Sequence, residues 1–131
     1  MNHAAMNQYK SVGVQSGIID ATPHQMITML FDGALDRVAS ARGAIEREEI
    51  ARKGELLGSV IAIVDSMRAS LDYNKGGEIA ANLGMLYDYI EGRLVEANTS
   101  SDLTLLDEVS SLLREIKVGW SSMPNSVRNV Q

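Results

Sequence analysis

LDYNKGGEIAANLGMLYDYI, residues 71–90, contains a helix end, a glycine turn, a helix start, and a helix with apolar groups on two faces. The segment Tyr73-Asn74-Lys75-Gly76-Gly77 ends a helix that begins near Ile50 and runs to about Asp72. Glycine or asparagine supplies the left-handed residue that closes a helix, and a lysine suits the negative end of its dipole. The next helix runs from about Glu78, a carboxylate favoured in a first turn, to about Asn98. At ~100° per residue, Ile79, Leu83, Leu86, Ile90, Leu94 and Ala97 share one face, with Tyr87 at its flank. Ala81, Met85, Tyr89 and Gly92 fall on the opposite side, with Asn82 at its margin. Two apolar faces are more than one bundle position buries, so the second face calls for a partner.

Upstream, Thr22 is a good N-cap, Pro23 fits the first helical position, and Gln25 completes a capping box. From there Ile27, Leu30, Phe31, Ala34, Val38, Ala41 and Ile45 recur at helical spacing. In the second helix Leu57, Val60, Val64, Met67 and Leu71 form the stripe, with Leu56 and Ile63 beside it. The back of that helix is small: Gly58, Ala62, Ser66, Ala69 and Ser70. Downstream, Ser101 or Asp102 caps a fourth helix with the stripe Leu105, Leu106, Val109, Leu112, Leu113, Ile116 and Trp120. Trp120 reads as a core anchor, and Pro124 stops the helix. Four one-striped helices joined by turns of about 4–6 residues specify an all-α, antiparallel up-down-up-down four-helix bundle. The expected helices are 23–46, 50–72, 78–98 and 102–122, in a domain of residues 22–122. Residues 1–21 read as a flexible N-terminal arm and 123–131 as a frayed tail.

The chain of 131 residues, 45% hydrophobic, is long enough for one domain with one core. It has no cysteine, which excludes disulfides, thiol catalysis and cysteine-held metal. A net charge of −5 argues against nucleic acid or an anionic membrane surface as the main partner. No run approaches the ~18 apolar residues of a membrane span, and the polar N-terminal stretch lacks the apolar run of a secretory signal. The expected location is the cytoplasm, without membrane insertion. The histidines are His3 and His24, and no Glu-x-x-His spacing occurs, so a di-iron carboxylate bundle is not supported. His24 lacks the neighbours of a phosphotransfer site and reads as a solvated first-turn residue. Lys75-Gly76-Gly77 is not the longer phosphate-loop frame, and Glu46, Glu48 and Glu49 read as a solvated turn. We therefore expect no catalytic residue, no metal and no cofactor.

What remains is binding. Small residues on helix two beside Met85 and Tyr89 on helix three make a shallow apolar groove suited to an incoming amphipathic helix, and methionine tolerates imperfect fit. The arm carries Met6, Tyr9, Val12 and Ile18, which prefer cover: the segment is either disordered or folds back over the groove when no partner is present. Gly84, in the middle of helix three, either loosens that helix or admits close approach of a ligand backbone.

Two segments carry a more specific signal. ATPHQMITMLFDGA (residues 21–34) and the pattern Leu71-Asp72-x-x-Lys75-Gly76-Gly77-Glu78-Ile79-Ala80-x-Asn82-Leu83-x-x-Leu86-Tyr87-Asp88-Tyr89 closely resemble the flagellar secretion chaperone FliS family. Glu108-Val109, Leu112-Leu113 and the late Trp120 extend the resemblance, which covers about Tyr9 to Trp120. It implies a cytoplasmic helical bundle that binds the disordered C-terminal segment of flagellin and prevents its premature polymerisation. It also implies delivery to a component of the flagellar type III export gate, and leaves regulators of flagellar gene expression open as further partners. Combined with the reading of the faces, the expected partner-binding residues are Tyr9 and Ile18 in the arm, Ala62 and Ala69 on helix two, and Asn82, Met85 and Tyr89 on helix three. The chain is expected to be a monomer or weak homodimer. The rival reading is a structural or regulatory bundle that self-associates through the same groove.

Overall fold

A computed structural model describes residues 21–122. The expectations for the arm, Tyr9 and Ile18 included, and for the tail from residue 123 fall outside these described residues. Four helices follow in order: α1 Pro23–Glu46, α2 Ile50–Ala69, α3 Tyr73–Ser100 and α4 Leu103–Ser122. Helix α1 packs on α2 and α4, and α3 packs on the same two, so the helices close a ring in the up-down-up-down order. The joining segments, 47–49, 70–72 and 101–102, are shorter than expected from the sequence. Such turns force each helix to lie antiparallel beside the one before it.

Helix α1 begins on the capping box. The Gln25 amide donates to Thr22 Oγ1 at 3.1 Å and the Thr22 amide to Gln25 Oε1 at 2.8 Å. Its stripe from Ile27 to Ala41 is buried, joined by Ala44. Helix α4 starts on Asp102, whose carboxylate accepts from the Thr104 amide at 2.9 Å. The Thr104 hydroxyl, which donates to the same carboxylate at 2.7 Å, and then the amide hold the Asp102 carboxyl below its ordinary value. Its buried residues are Leu106, Val109, Leu113 and Trp120.

The ends of α1 and α4 are clasped together. His24 stacks on Trp120 with ring centroids 4.6 Å apart, its Nε2 lies 3.1 Å from the Trp120 carbonyl, and Trp120 Nε1 donates to the His24 carbonyl at 3.2 Å. His24 is therefore half-buried and structural rather than solvated. Trp120, at 3% exposure, is the anchor expected.

Around residues 70–84 the structure corrects the sequence reading. Helix α2 stops at Ala69, not Asp72, and Leu71 is buried outside any helix. The Asp72 carboxylate caps α3 by accepting from the Asn74 and Lys75 amides, each at 3.0 Å. So Tyr73–Gly76 is a helical turn opening α3, not the close of α2. Gly77, at φ 52 and ψ −126, then breaks the helix before it resumes. Both angles suit glycine alone, which is why the turn can fold back.

The core line of α3 runs Ala80, Gly84, Tyr87, Ile90, Leu94 and Ala97. Ile79, placed on the core face by helical spacing, is 43% exposed, and Tyr87, expected at the flank, is fully buried. Small residues take the inner face near the start of α3 because Tyr73 crosses it. A Cβ added to Gly84 would meet Tyr73 Oη at 2.7 Å and Leu71 Cδ1 at 3.7 Å. Gly84 thus admits the chain's own tyrosine, not a ligand backbone, and does so inside an unbroken stretch of helix. Ser66, counted with the outer side of α2, is buried at 6%.

At the opposite end, the Lys53 ammonium is buried and donates to the Asn98 carbonyl at 2.8 Å and to Ser101 Oγ at 2.9 Å. Ser101 has φ 56 and closes α3. A cation on the last carbonyls of a helix is favoured by the dipole.

Candidate partner-binding face

Helix α3 keeps an apolar line outside the bundle. Met85 is 65% exposed and Tyr89 41%, and Ala81, Asn82 and Gly92 are exposed with them. At ~100° per residue these five positions fall within an arc of about 100° on the side away from Tyr87 and Leu94. The core beneath is complete without them, since Tyr87, Ile90, Leu94 and Ala97 are each at 0%. The line is therefore apolar surface left outside the packed core.

Two polar clasps flank the line. Toward α4, Tyr89 Oη donates to Glu108 Oε2 at 2.6 Å. The Arg93 guanidinium lies 5.1 Å from the Tyr89 ring centroid and also bonds Glu96 at 2.6 Å. The Glu108 carboxylate that accepts the phenol proton holds the Tyr89 hydroxyl above its ordinary value. The ring is therefore aimed along the α3–α4 seam, with one face under a cation and its hydroxyl already spent. Toward α2, the Arg68 guanidinium pairs with Asp65 on its own helix and with Asp88 and Glu91 on α3. Met85 lies between the clasps with no polar tether.

The structure thus brings Asn82, Met85 and Tyr89 together. Ala62, half-buried, and Ala69, exposed, lie on the outward side of α2 with Gly58. The Arg68 clasp bridges the seam between the two helices. The two sets are separate apolar lines with ions between them, rather than one groove. The sequence reading took the small residues of α2 with Met85 and Tyr89 as one groove and did not weigh Arg68, Asp65, Asp88 and Glu91. Their spacing was the available signal: on facing antiparallel helices, Arg68 near the end of α2 meets residues a few turns into α3. Exposed Ile79, and Val95 at 57%, also lie outside the expected set.

Two cavities lie elsewhere. One of about 430 Å³ sits at the Lys53 end, between the α1–α2 turn and Ser101. Another of about 460 Å³ lies between α1 and α2, lined by Asp36, Arg37, Arg52 and Glu55. Neither is lined by an expected partner-binding residue. Among the described residues no cluster of three histidine, aspartate or glutamate side chains has the arrangement of a metal site, and no helix is long and apolar enough to cross a membrane.

Residues 5–127 match the family described as flagellar protein FliS. The chain is 52% identical over 119 residues to the flagellar secretion chaperone FliSB of Pseudomonas aeruginosa, covering 91% of this chain and 94% of that protein. It is 42% identical over 121 residues to the flagellar secretion chaperone FliS of Salmonella typhimurium, covering 92% and 90%. With the Bacillus subtilis protein of the same description identity is 32% over 114 residues, covering 87% and 84%. A four-helix bundle with a spare outer line, matched along nearly its whole length at these identities, belongs to the FliS family.

Proposed function

We propose that the chain is a flagellin export chaperone of the cytosol. It holds the disordered C-terminal segment of flagellin, prevents premature polymerisation, and presents the cargo to the flagellar type III export apparatus. The observation that carries this reading is the exposed Met85–Tyr89 line on α3 above a core that is already closed. An amphipathic segment that would otherwise associate with its own kind gains cover on such a line, at the cost of becoming ordered. The role is binding, not catalysis.

The residues proposed to make the contacts are Met85, Tyr89 and Asn82 on α3, Ala62 and Ala69 on α2, and Tyr9 and Ile18 from the N-terminal arm. Because the Arg68 clasp separates the lines on α2 and α3, the ligand is expected to cross it rather than lie in a single trough. Met85 is the expected anchor, since Tyr89 already has polar partners.

Co-purification with flagellin tests the proposal. Flagellin lacking its final ~40 residues, a segment ~60 Å long when helical, should not be retained, whereas the full-length protein should. Met85→Glu should abolish capture and the pair Met85→Glu, Tyr89→Glu should do so with helicity unchanged. Capture that ignores the flagellin tail would reject the assignment. Capture that survives Met85→Glu would reject the face.

A further inference from the structure

One guanidinium is surrounded by three carboxylates at the α2–α3 seam. Arg68 Nη2 pairs with Asp65, and Nη1 is shared between Asp88 and Glu91 Oε2, the last at 3.2 Å. With all four groups ionised, three negative charges face one positive, an excess of two. Glu91 is the most enclosed of the carboxylates, its side chain 17% exposed against 41% for Asp65 and 61% for Asp88. Its Oε2 has Arg68, but its Oε1 is buried without any donor. A buried acceptor left unpaired is costly, and an ionised one more so.

A proton on Oε1 removes the difficulty. It lowers the excess charge to one and turns the orphan acceptor into a donor beside Asp65, whose carboxylate is held on the same guanidinium from the facing helix. We propose that Glu91 and Asp65 share a single proton across the seam, which makes the Arg68 clasp a proton-sensitive fastening of α2 to α3. The proposal concerns the bundle itself and stands whether or not the chain binds flagellin.

The groups facing Glu91 are Arg68 and Asp65 from α2 and Asp88 from its own helix. Helix α4, also packed on α3, directs Glu108 to the other flank, onto Tyr89 and Arg93. Burial raises the Glu91 carboxyl most; Arg68 opposes it, Asp65 and Asp88 add to it, and the outcome is about 7 against an ordinary 4.5. In that interval the folded chain holds a proton that the unfolded chain has released. This contribution to stability is complete below about 4.5 and is lost as pH rises through about 7.

Side-chain carboxyl carbon NMR on the full chain tests this directly, with the Glu91 resonance identified as the one missing in Glu91→Gln. We expect its midpoint near 7, and a clear fall in Asp65→Asn. Chemical denaturation of wild type should show the folding equilibrium weakening several-fold from pH 6 to pH 8. Glu91→Gln should flatten that slope, and the comparison cancels the histidines, which both proteins share. A Glu91 midpoint near 4.5 in the folded wild type would overturn the proposal without reference to any variant's stability. So would a midpoint unmoved by Asp65→Asn, or parallel pH slopes in wild type and Glu91→Gln.

Discussion

Lys53→Ala should be among the most damaging single changes at the turn end of the bundle, and its size can be worked out. Wild-type Lys53 is 6% exposed, and its ammonium joins α2 to the close of α3 through the Asn98 carbonyl and Ser101 Oγ. Alanine removes about three buried methylenes, at ~0.8 kcal/mol each. It also removes two charge-assisted hydrogen bonds, of ~1.5–3 kcal/mol each before desolvation is counted. Against that, a buried ammonium costs several kcal/mol to dehydrate. The polar terms largely cancel, leaving a loss of ~3 kcal/mol dominated by the stem. At ~4–8 °C per kcal/mol for a domain of this size, Tm should fall by ~12–24 °C. Lys53→Met keeps the stem and sheds both the charge and its dehydration cost, so it should lose only ~1 kcal/mol. Urea denaturation followed by circular dichroism measures both. Flagellin capture should be unchanged, because Met85 lies thirteen residues earlier on α3, ~20 Å along the axis. If Lys53→Ala costs under 0.5 kcal/mol, or Lys53→Met is as damaging as alanine, the division between stem and charge is wrong.

Gly77 and Gly84 of α3 should respond in opposite senses. Gly77→Ala places a side chain at φ 52 and ψ −126 and should cost at least ~1–2 kcal/mol, seen as a lower Tm. Gly84→Ala gains ~1 kcal/mol of helix propensity and displaces only the Tyr73 hydroxyl end, so it should be neutral to mildly stabilising, with the full gain appearing in a Tyr73→Ala background. Trp120→Phe deletes the bond to the His24 carbonyl and should cost ~1–2 kcal/mol, measured by thermal denaturation.

The fold was legible where one residue type does one job. Thr22-Pro23-x-Gln25 starts a helix whatever surrounds it, and the spacing from Ile27 to Ala41 leaves one inner face. The misread stretch is the one where tertiary contacts decide. Tyr73-Asn74-Lys75-Gly76-Gly77 has the composition of a helix close, but Asp72 caps forward into it, and a cap acts on the helix that follows. After Gly77 breaks the backbone, the inner face of the next turns lies one position on from the assigned Ile79, Leu83 and Leu86, and the assigned phase holds from Ile90. The inner face near the start of α3 is occupied by Ala80 and Gly84, residues that a search for large apolar side chains passes over. His24 was misread for a related reason: its partner, Trp120, is 96 positions away.

The outer face was half legible for a physical reason that bears on how it would work. Periodicity gives the direction of a side chain from its own helix axis, and so it placed Met85, Tyr89 and Asn82 on one side correctly. It gives nothing about which neighbour a flanking side chain leans toward. Tyr89 leans to α4 because Glu108 accepts its proton, and Arg68 crosses to α3 because two carboxylates await it there. These clasps hold the bundle's seams at its surface, where a wrapping ligand must pass. A segment lying over Met85 would therefore meet a fixed apolar line bordered by ions already engaged with one another. Such a border contributes little attraction of its own. Affinity would then rest on the apolar contacts, and the charges would govern how firmly the two helices beneath them stay in register.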